Sequence, residues 1–226
     1  MSSIQPRIRV LSAIAALATL ALLASCQGFF PHNQITSIVL QPTTITVPLG
    51  GTAQLNAYGV EANNPQGVNI NTQVTWQSTS GAITVANGVL TGVTYSATPA
   101  TITATYQALP AQTAMASICV EGATNFVIDP ADAQASQTGT FPSPGGYVAT
   151  VSASVNGTIQ TVDITTAVNW TTSDPSVVTI TNGTDPATVS YPTSITANQV
   201  VTVTANYTCN GVTYTPTPTT QLTVTP

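Results

Sequence analysis

In the segment 101–106, Ile102, Ala104 and Tyr106 alternate with Thr101, Thr103 and Thr105. In 201–207, Val201, Val203, Ala205 and Tyr207 alternate with Thr202, Thr204 and Asn206. Alternation with period two puts one set of side chains on each face of a strand, so such a segment pairs in a sheet with one face buried. Threonine suits the outer face, being β-branched with a hydroxyl that meets water. The alternation also occurs in duplicate. "NINTQVTW" (69–76) matches "DITTAVNW" (163–170), "SIVLQP" (37–42) matches "NFVIDP" (125–130), and "TITATY" (101–106) matches "TVTANY" (202–207), in the same order. A repeat this long exceeds solenoid periods and reads as two tandem domains.

Turn residues punctuate the runs: "PLGG" at 48–51, "NNPQG" at 63–67, "ANG" at 86–88, "PSPGG" at 142–146, "NG" at 156–157, "SDPS" at 173–176 and "CNG" at 209–211. Each cluster favours a tight reversal. No amphipathic helix is read after Cys26. Short strands with one Trp on the third strand of each copy predict an all-β chain of two β-sandwiches. Trp76 shares a face with Val74, and Trp170 with Val168, so both indoles are expected in the cores, together with Tyr106 and Tyr207.

Charge removes several functions. The only basic residues are Arg7 and Arg9; beyond Cys26 there are seven carboxylates and no Lys or Arg. Nucleic-acid binding needs clustered cations and is excluded. The fold must rest on burial and backbone hydrogen bonds. The sole histidine, His32, lies in "FFPHNQ", and the acids are scattered, with Asp129 and Asp132 the closest pair. General bases and oxyanion stabilisers are lacking, no calcium-loop spacing occurs, and Cys119 has no histidine partner. No catalytic residue, metal site or cofactor is predicted.

The first 25 residues carry a short positive stretch with Arg7 and Arg9, then the apolar run "LSAIAALATLALLA". This is the layout of a secretory signal peptide, and the run is shorter than the roughly 20 residues of a membrane span. Leu23-Ala24-Ser25-Cys26 resembles the bacterial lipobox. The resemblance implies cleavage before Cys26, a diacylglyceryl thioether on its sulfur and an acylated amino terminus. Several acyl chains on one residue anchor stably, whereas one alone binds marginally. In that family an Asp after the Cys often retains the protein at the inner membrane. Gln27 stands there instead, which points to the outer membrane. Residues 26–34 would be a short tether.

Both copies resemble bacterial immunoglobulin-like domains of group 2, the module of intimin- and invasin-type surface proteins. The carrying stretches are "ITSIVLQPTTITVPLGGTAQLNAYG", "VTWQSTSGAITVANGVLTGV" and "ATITATYQ". They hold the pattern's strand ending in Pro, its Gly-Thr, its Trp followed by polar residues, and its Val-x-x-Gly hairpin. The second copy keeps "VNWTTSDPSVVTI" but has "TNGTDPATVSYPTS" where the hairpin would be. The expected domains are 35–121 and 122–226.

Cys119 and Cys209 remain once Cys26 is lipidated. Neither copy has a cysteine on its second strand, so the antibody-type bridge within one domain does not arise. Cys119 would end the last strand of the first domain, and Cys209 would sit in a hairpin loop of the second. Immunoglobulin-like geometry brings both to the interdomain junction. A Cys119–Cys209 bridge is the expectation, with two unpaired thiols as the alternative. Ile118 and Val120 should face the core and leave Cys119 pointing outward.

These features suggest an envelope protein with a membrane anchor at Cys26 and an unidentified protein or glycan partner, used for adhesion or protein interaction. A passive spacer and an accessory polysaccharide-binding lipoprotein are the alternatives. The last would need exposed aromatics on one face, for which Phe29, Phe30, Tyr95, Tyr147, Tyr191 and Tyr214 are the candidates.

Overall fold

The computed structural model describes residues 34–137, 141–142, 145–216 and 219–226. The signal-peptide segment, Cys26, Phe29, Phe30 and His32 lie outside the described residues. Among those described there is no helix, and the chain is all-β.

The first ten strands are β1 (Ile35–Gln41), β2 (Thr44–Pro48), β3 (Thr52–Gln54), β4 (Asn56–Glu61), β5 (Asn64–Asn69), β6 (Thr75–Ser78), β7 (Ile83–Ala86), β8 (Val89–Gly92), β9 (Ala100–Thr105) and β10 (Gln112–Cys119). They pair in the orders β1-β4-β5, β2-β10-β9-β6 and β3-β8-β7. The next ten are β11 (Thr124–Asp129), β12 (Ala133–Ser136), β13 (Val148–Val155), β14 (Thr158–Asp163), β15 (Asn169–Thr172), β16 (Thr179–Ile180), β17 (Val189–Ser190), β18 (Gln199–Cys209), β19 (Val212–Tyr214) and β20 (Thr220–Thr225). They repeat the plan as β11-β13-β14, β12-β20-β18-β15 and β16-β17.

In each copy the first strand ends beside a proline, Pro42 or Pro130, which has no N–H to continue a ladder. The chain then crosses to the opposite sheet, where its continuation runs parallel to the last strand: β2 beside β10, and β12 beside β20. That shared crossing makes each copy a sandwich of the immunoglobulin-like kind.

Alternation sets the cores. Ile102 and Ala104 of β9, and Val201, Val203, Ala205 and Tyr207 of β18, are all buried, as the sequence indicates. The first core is built of Ile38, Leu40, Val47, Leu55, Ile70, Leu90 and Ile102. The second is more aromatic. Tyr147 packs against Trp170 with ring centroids 5.9 Å apart and against Phe141 at 5.1 Å.

The turns follow local chemistry. Asn87 and Gly88 take φ of 50° and 81° between β7 and β8, the two left-handed positions that a type I′ hairpin requires. A side chain at position 88 would put Cβ 2.3 Å from the Leu55 carbonyl oxygen. Asn156-Gly157 and Asn210-Gly211 take the same signs in the second sandwich. "SDPS" closes through Asp174, whose carboxylate accepts from the Ser176 N–H at 3.0 Å and hydroxyl at 2.6 Å. These bonds hold the Asp174 carboxyl below its ordinary pKa.

Two local readings change. "NNPQG" is not simply a turn: 64–69 pairs with β4 as an edge strand. Pro65 is tolerated because an edge strand need not donate on its outer side. The second copy has a hairpin, β16–β17, but its strands are two residues each where β7 and β8 have four. "TNGTDPATVSYPTS" lacks the alternation to extend them.

Candidate functional site

Trp76, Trp170, Cys119, Cys209 and Tyr207 fall into two arrangements, a repeated corner inside each sandwich and a junction between them.

The corner is carried by the matching blocks 69–76 and 163–170. The Asn69 side chain accepts from the Asn71 N–H at 3.0 Å; in the second copy Asp163 accepts from the Thr165 N–H at 2.9 Å. The capped residue then caps a neighbouring strand. Asn71 Oδ1 accepts from the Ala57 N–H at 2.6 Å, and Thr165 Oγ1 from the Ala149 N–H at 2.9 Å. Its carbonyl receives the indole: Trp76 Nε1 donates to the Asn71 carbonyl at 2.8 Å, and Trp170 Nε1 to the Thr165 carbonyl at 3.2 Å. The two indoles differ in burial. Trp170 is 3% exposed, while Trp76 and Tyr106 are half-buried against the first core. Trp170 is thus part of the second core, and Trp76 packs against the first.

Replacing Asn71 by Ala would strand the Ala57 amide in the core. An orphaned buried donor costs about 1–3 kcal/mol. The expected outcome is a lower denaturation midpoint for the first sandwich and an unchanged one for the second. Asn71→Thr should recover part of the loss, because threonine does this work at position 165.

The junction lies where β10 leaves the first sandwich. Cys119 and Cys209 form a disulfide with Cα atoms 5.5 Å apart, within ordinary bridge geometry. Cys209 is the last residue of β18 rather than a loop residue. The expected outward orientation of Cys119 is corrected: Ile118, Cys119 and Val120 are all buried, at 7%, 7% and 0% exposure. At the strand's end the second sandwich covers the face that the first leaves open.

Hydrogen bonds reinforce the bridge. The Val120 N–H donates to the Tyr207 hydroxyl at 2.6 Å, and the Gly122 N–H to the Tyr214 hydroxyl at 3.0 Å. Asn210 Nδ2 donates to the Glu121 carboxylate. Burial raises the Tyr207 pKa, partly offset by the Val120 N–H, so this acceptor stays a neutral phenol at physiological pH. The rings of Tyr207 and Tyr214 lie 6.1 Å apart.

Leu49 and Tyr95 of the first sandwich pack against both cores. A side chain at Gly50 would place Cβ 3.3 Å from the Val155 Cα, so the 48–51 turn sits directly on the β13–β14 hairpin. Cys119, Glu121 and Cys209 also lie close enough together to suggest a metal. The two sulfurs are committed to each other, however, which leaves one exposed carboxylate and no metal site.

Among the described residues, the aromatic candidates Tyr95, Tyr147, Tyr191 and Tyr214 do not share an exposed face. Tyr147 is fully buried, Tyr95 and Tyr214 are half-buried at the junction, and Tyr191 is half-buried against the second core. Among the described residues no Phe, Tyr or Trp is exposed. Asn71 and Thr165 lie in the repeated blocks 69–76 and 163–170, but the different residue types at the two sites hide their shared capping role.

No family model matches the chain, and no curated protein matches it. Solved structures similar to it include domains 5-6 of the S-layer protein SbsC, at 16% identity over 84% of this chain and 98% of that one, with a TM-score of 0.32. Domains EC3-6 of protocadherin gammaB7 align at 15% identity over 84% of this chain and 48% of that one, with a TM-score of 0.31. Human protocadherin-24 EC1-2 aligns at 11% identity over 85% of this chain and 98% of that one, with a TM-score of 0.30. Likeness at this level carries no argument, and the immunoglobulin-like assignment rests on the sheets themselves.

Proposed function

We propose that this chain is a lipid-anchored envelope protein that presents two immunoglobulin-like domains, 35–121 and 122–226, as one stiff unit for adhesion or protein interaction. The observation that carries this reading is the junction. A disulfide and three hydrogen bonds tie the linker 120–122 and the end of β10 to β18, β19 and the turn between them. A stiff pair projects its outer end at a fixed angle, which favours binding because less orientational freedom is lost on contact. That outer end belongs to the second domain, since β20 runs away from the junction toward the C-terminus.

Anchoring is tested through Cys26. Cys26→Ser should abolish labelling by a fatty-acid analogue and shift the protein from membrane to soluble fractions. Retention in the membrane without label would defeat the lipobox reading. Binding is tested with the chain from Gln27 to Pro226, disulfide intact, against self envelope, foreign cells and a polysaccharide panel. Saturable binding to cells or envelope protein supports the interaction module, and binding to none of them contradicts it.

The second reading, a spacer with no ligand of its own, draws on one observation. The exposed large apolar side chains, among them Val39, Met115, Val127, Ile159 and Val200, fall on five different strands.

A further inference from the structure

Glu61 holds a position that a core residue would normally take. β4 alternates so that Ala57, Gly59 and Glu61 share its buried face, and Glu61 is only 9% exposed. No hydrogen bond or ion pair reaches its carboxylate among the described residues. The chain offers no Lys or Arg to pair with it beyond Arg9. Its carboxylate oxygens are nonetheless not sealed off, since the only buried side-chain polar atom without a partner among the described residues is the Tyr147 hydroxyl, so the charge is held on the wall of an open space.

The carboxylate opens into a cleft of about 590 Å³ lined by Gln34, Ile35, Val68, Gln73, Tyr106 and Gln107 as well as Glu61 itself. That volume is in the range of small-ligand sites. We propose that this cleft binds an organic ammonium group. Glu61 supplies the opposite charge, and the tyrosine ring offers a face of negative potential suited to a cation. The glutamine carbonyls can accept N–H bonds. Ile35 and Val68 pack the methylene or methyl groups of the ligand. Anions are repelled by the carboxylate. A calcium ion is poorly served, since it wants six to eight oxygen ligands and the cleft has one carboxylate.

Two sources share this chemistry: a soluble amine, including a lysine side chain, and the headgroup of an aminophospholipid. The cleft's location makes the second reachable. Ile35 opposite Glu61 opens the sandwich, and β1 and β2 run from there toward the junction, so the cleft is at the pole away from the second sandwich. Eight peptide units separate Gln34 from Cys26, an extended reach of at most roughly 28 Å. The ammonium assignment does not depend on the anchor; only the lipid source does.

The test is titration of the chain from Gln27 to Pro226 with choline and with ethanolamine at about pH 8, where an ordinary histidine is neutral. That pH removes His32 as an internal cation. Saturable binding of either probe is expected, with a matching rise in melting temperature. Glu61→Gln keeps the side-chain volume and should weaken binding about tenfold or more without lowering the melting temperature. Absence of saturation, equal binding by Glu61→Gln, or displacement of the probe by equimolar calcium would overturn the assignment. A second arm uses the lipidated chain in vesicles. Choline binding reduced by phosphatidylethanolamine and not by phosphatidylglycerol identifies the headgroup as the occupant. Choline binding equal in both identifies a soluble amine, and the ammonium site stands in either case.

Discussion

Breaking the Cys119–Cys209 bridge should destabilise the second sandwich far more than the first. The two cysteines are 90 residues apart, and the loop they close contains every strand from β11 to β17 and most of β18. No complete strand of the first sandwich lies inside that loop. In the chain-entropy account, a cross-link removes disorder from the unfolded segment it encloses, and a loop of this length is worth about 4–5 kcal/mol. For a domain of this size that corresponds to a drop on the order of 20 °C in melting temperature. Calorimetry of the oxidised chain and of Cys119→Ala/Cys209→Ala should show the second transition falling and the first nearly unmoved. Equal shifts in both would mean that the bridge acts on the junction as a whole and not on the loop it encloses.

The second large effect is expected at Trp170. Its indole is 3% exposed, stacks near Tyr147, and donates to the Thr165 carbonyl. Trp170→Ala removes that packing, leaves a cavity and strands the carbonyl. Truncations of this kind cost about 3–5 kcal/mol. Trp76 occupies the same corner but is only half-buried, so Trp76→Ala should cost about half as much. The comparison is internal, because the same substitution is made at matching sites of one chain. Fluorescence provides a second check: emission from Trp170 should lie to the blue of emission from Trp76, measured in the two single-tryptophan variants. Equal losses of stability at both sites would show that the hydrogen bond, which the two share, outweighs the burial, which they do not.

The sequence carried most of the architecture because architecture here follows from period and punctuation. Alternation in 101–106 and 201–207 placed Ile102 and Val203 in the cores, and Asn-Gly pairs marked three hairpins. The matched blocks around Trp76 and Trp170 became matched corners. Orientation failed where a second surface arrives from far along the chain. Alternation with Ile118 and Val120 points Cys119 outward, but alternation assumes one buried face, and the second sandwich buries the other. Tyr147 follows a Gly- and Pro-rich stretch and read as exposed, yet its pairing with Ala187 carries it into the core. Glu61 read as one scattered acid among seven; nothing local shows that it falls on the buried parity of β4 beside a cleft.

Whether the two sandwiches move as one body is tested directly by residual dipolar couplings in a weakly aligning medium. In the oxidised chain, couplings from residues 35–119 and from 124–225 should fit a single alignment tensor. Two tensors differing in magnitude or orientation in the oxidised chain would mean that the sandwiches reorient freely despite the bridge, and would contradict the account.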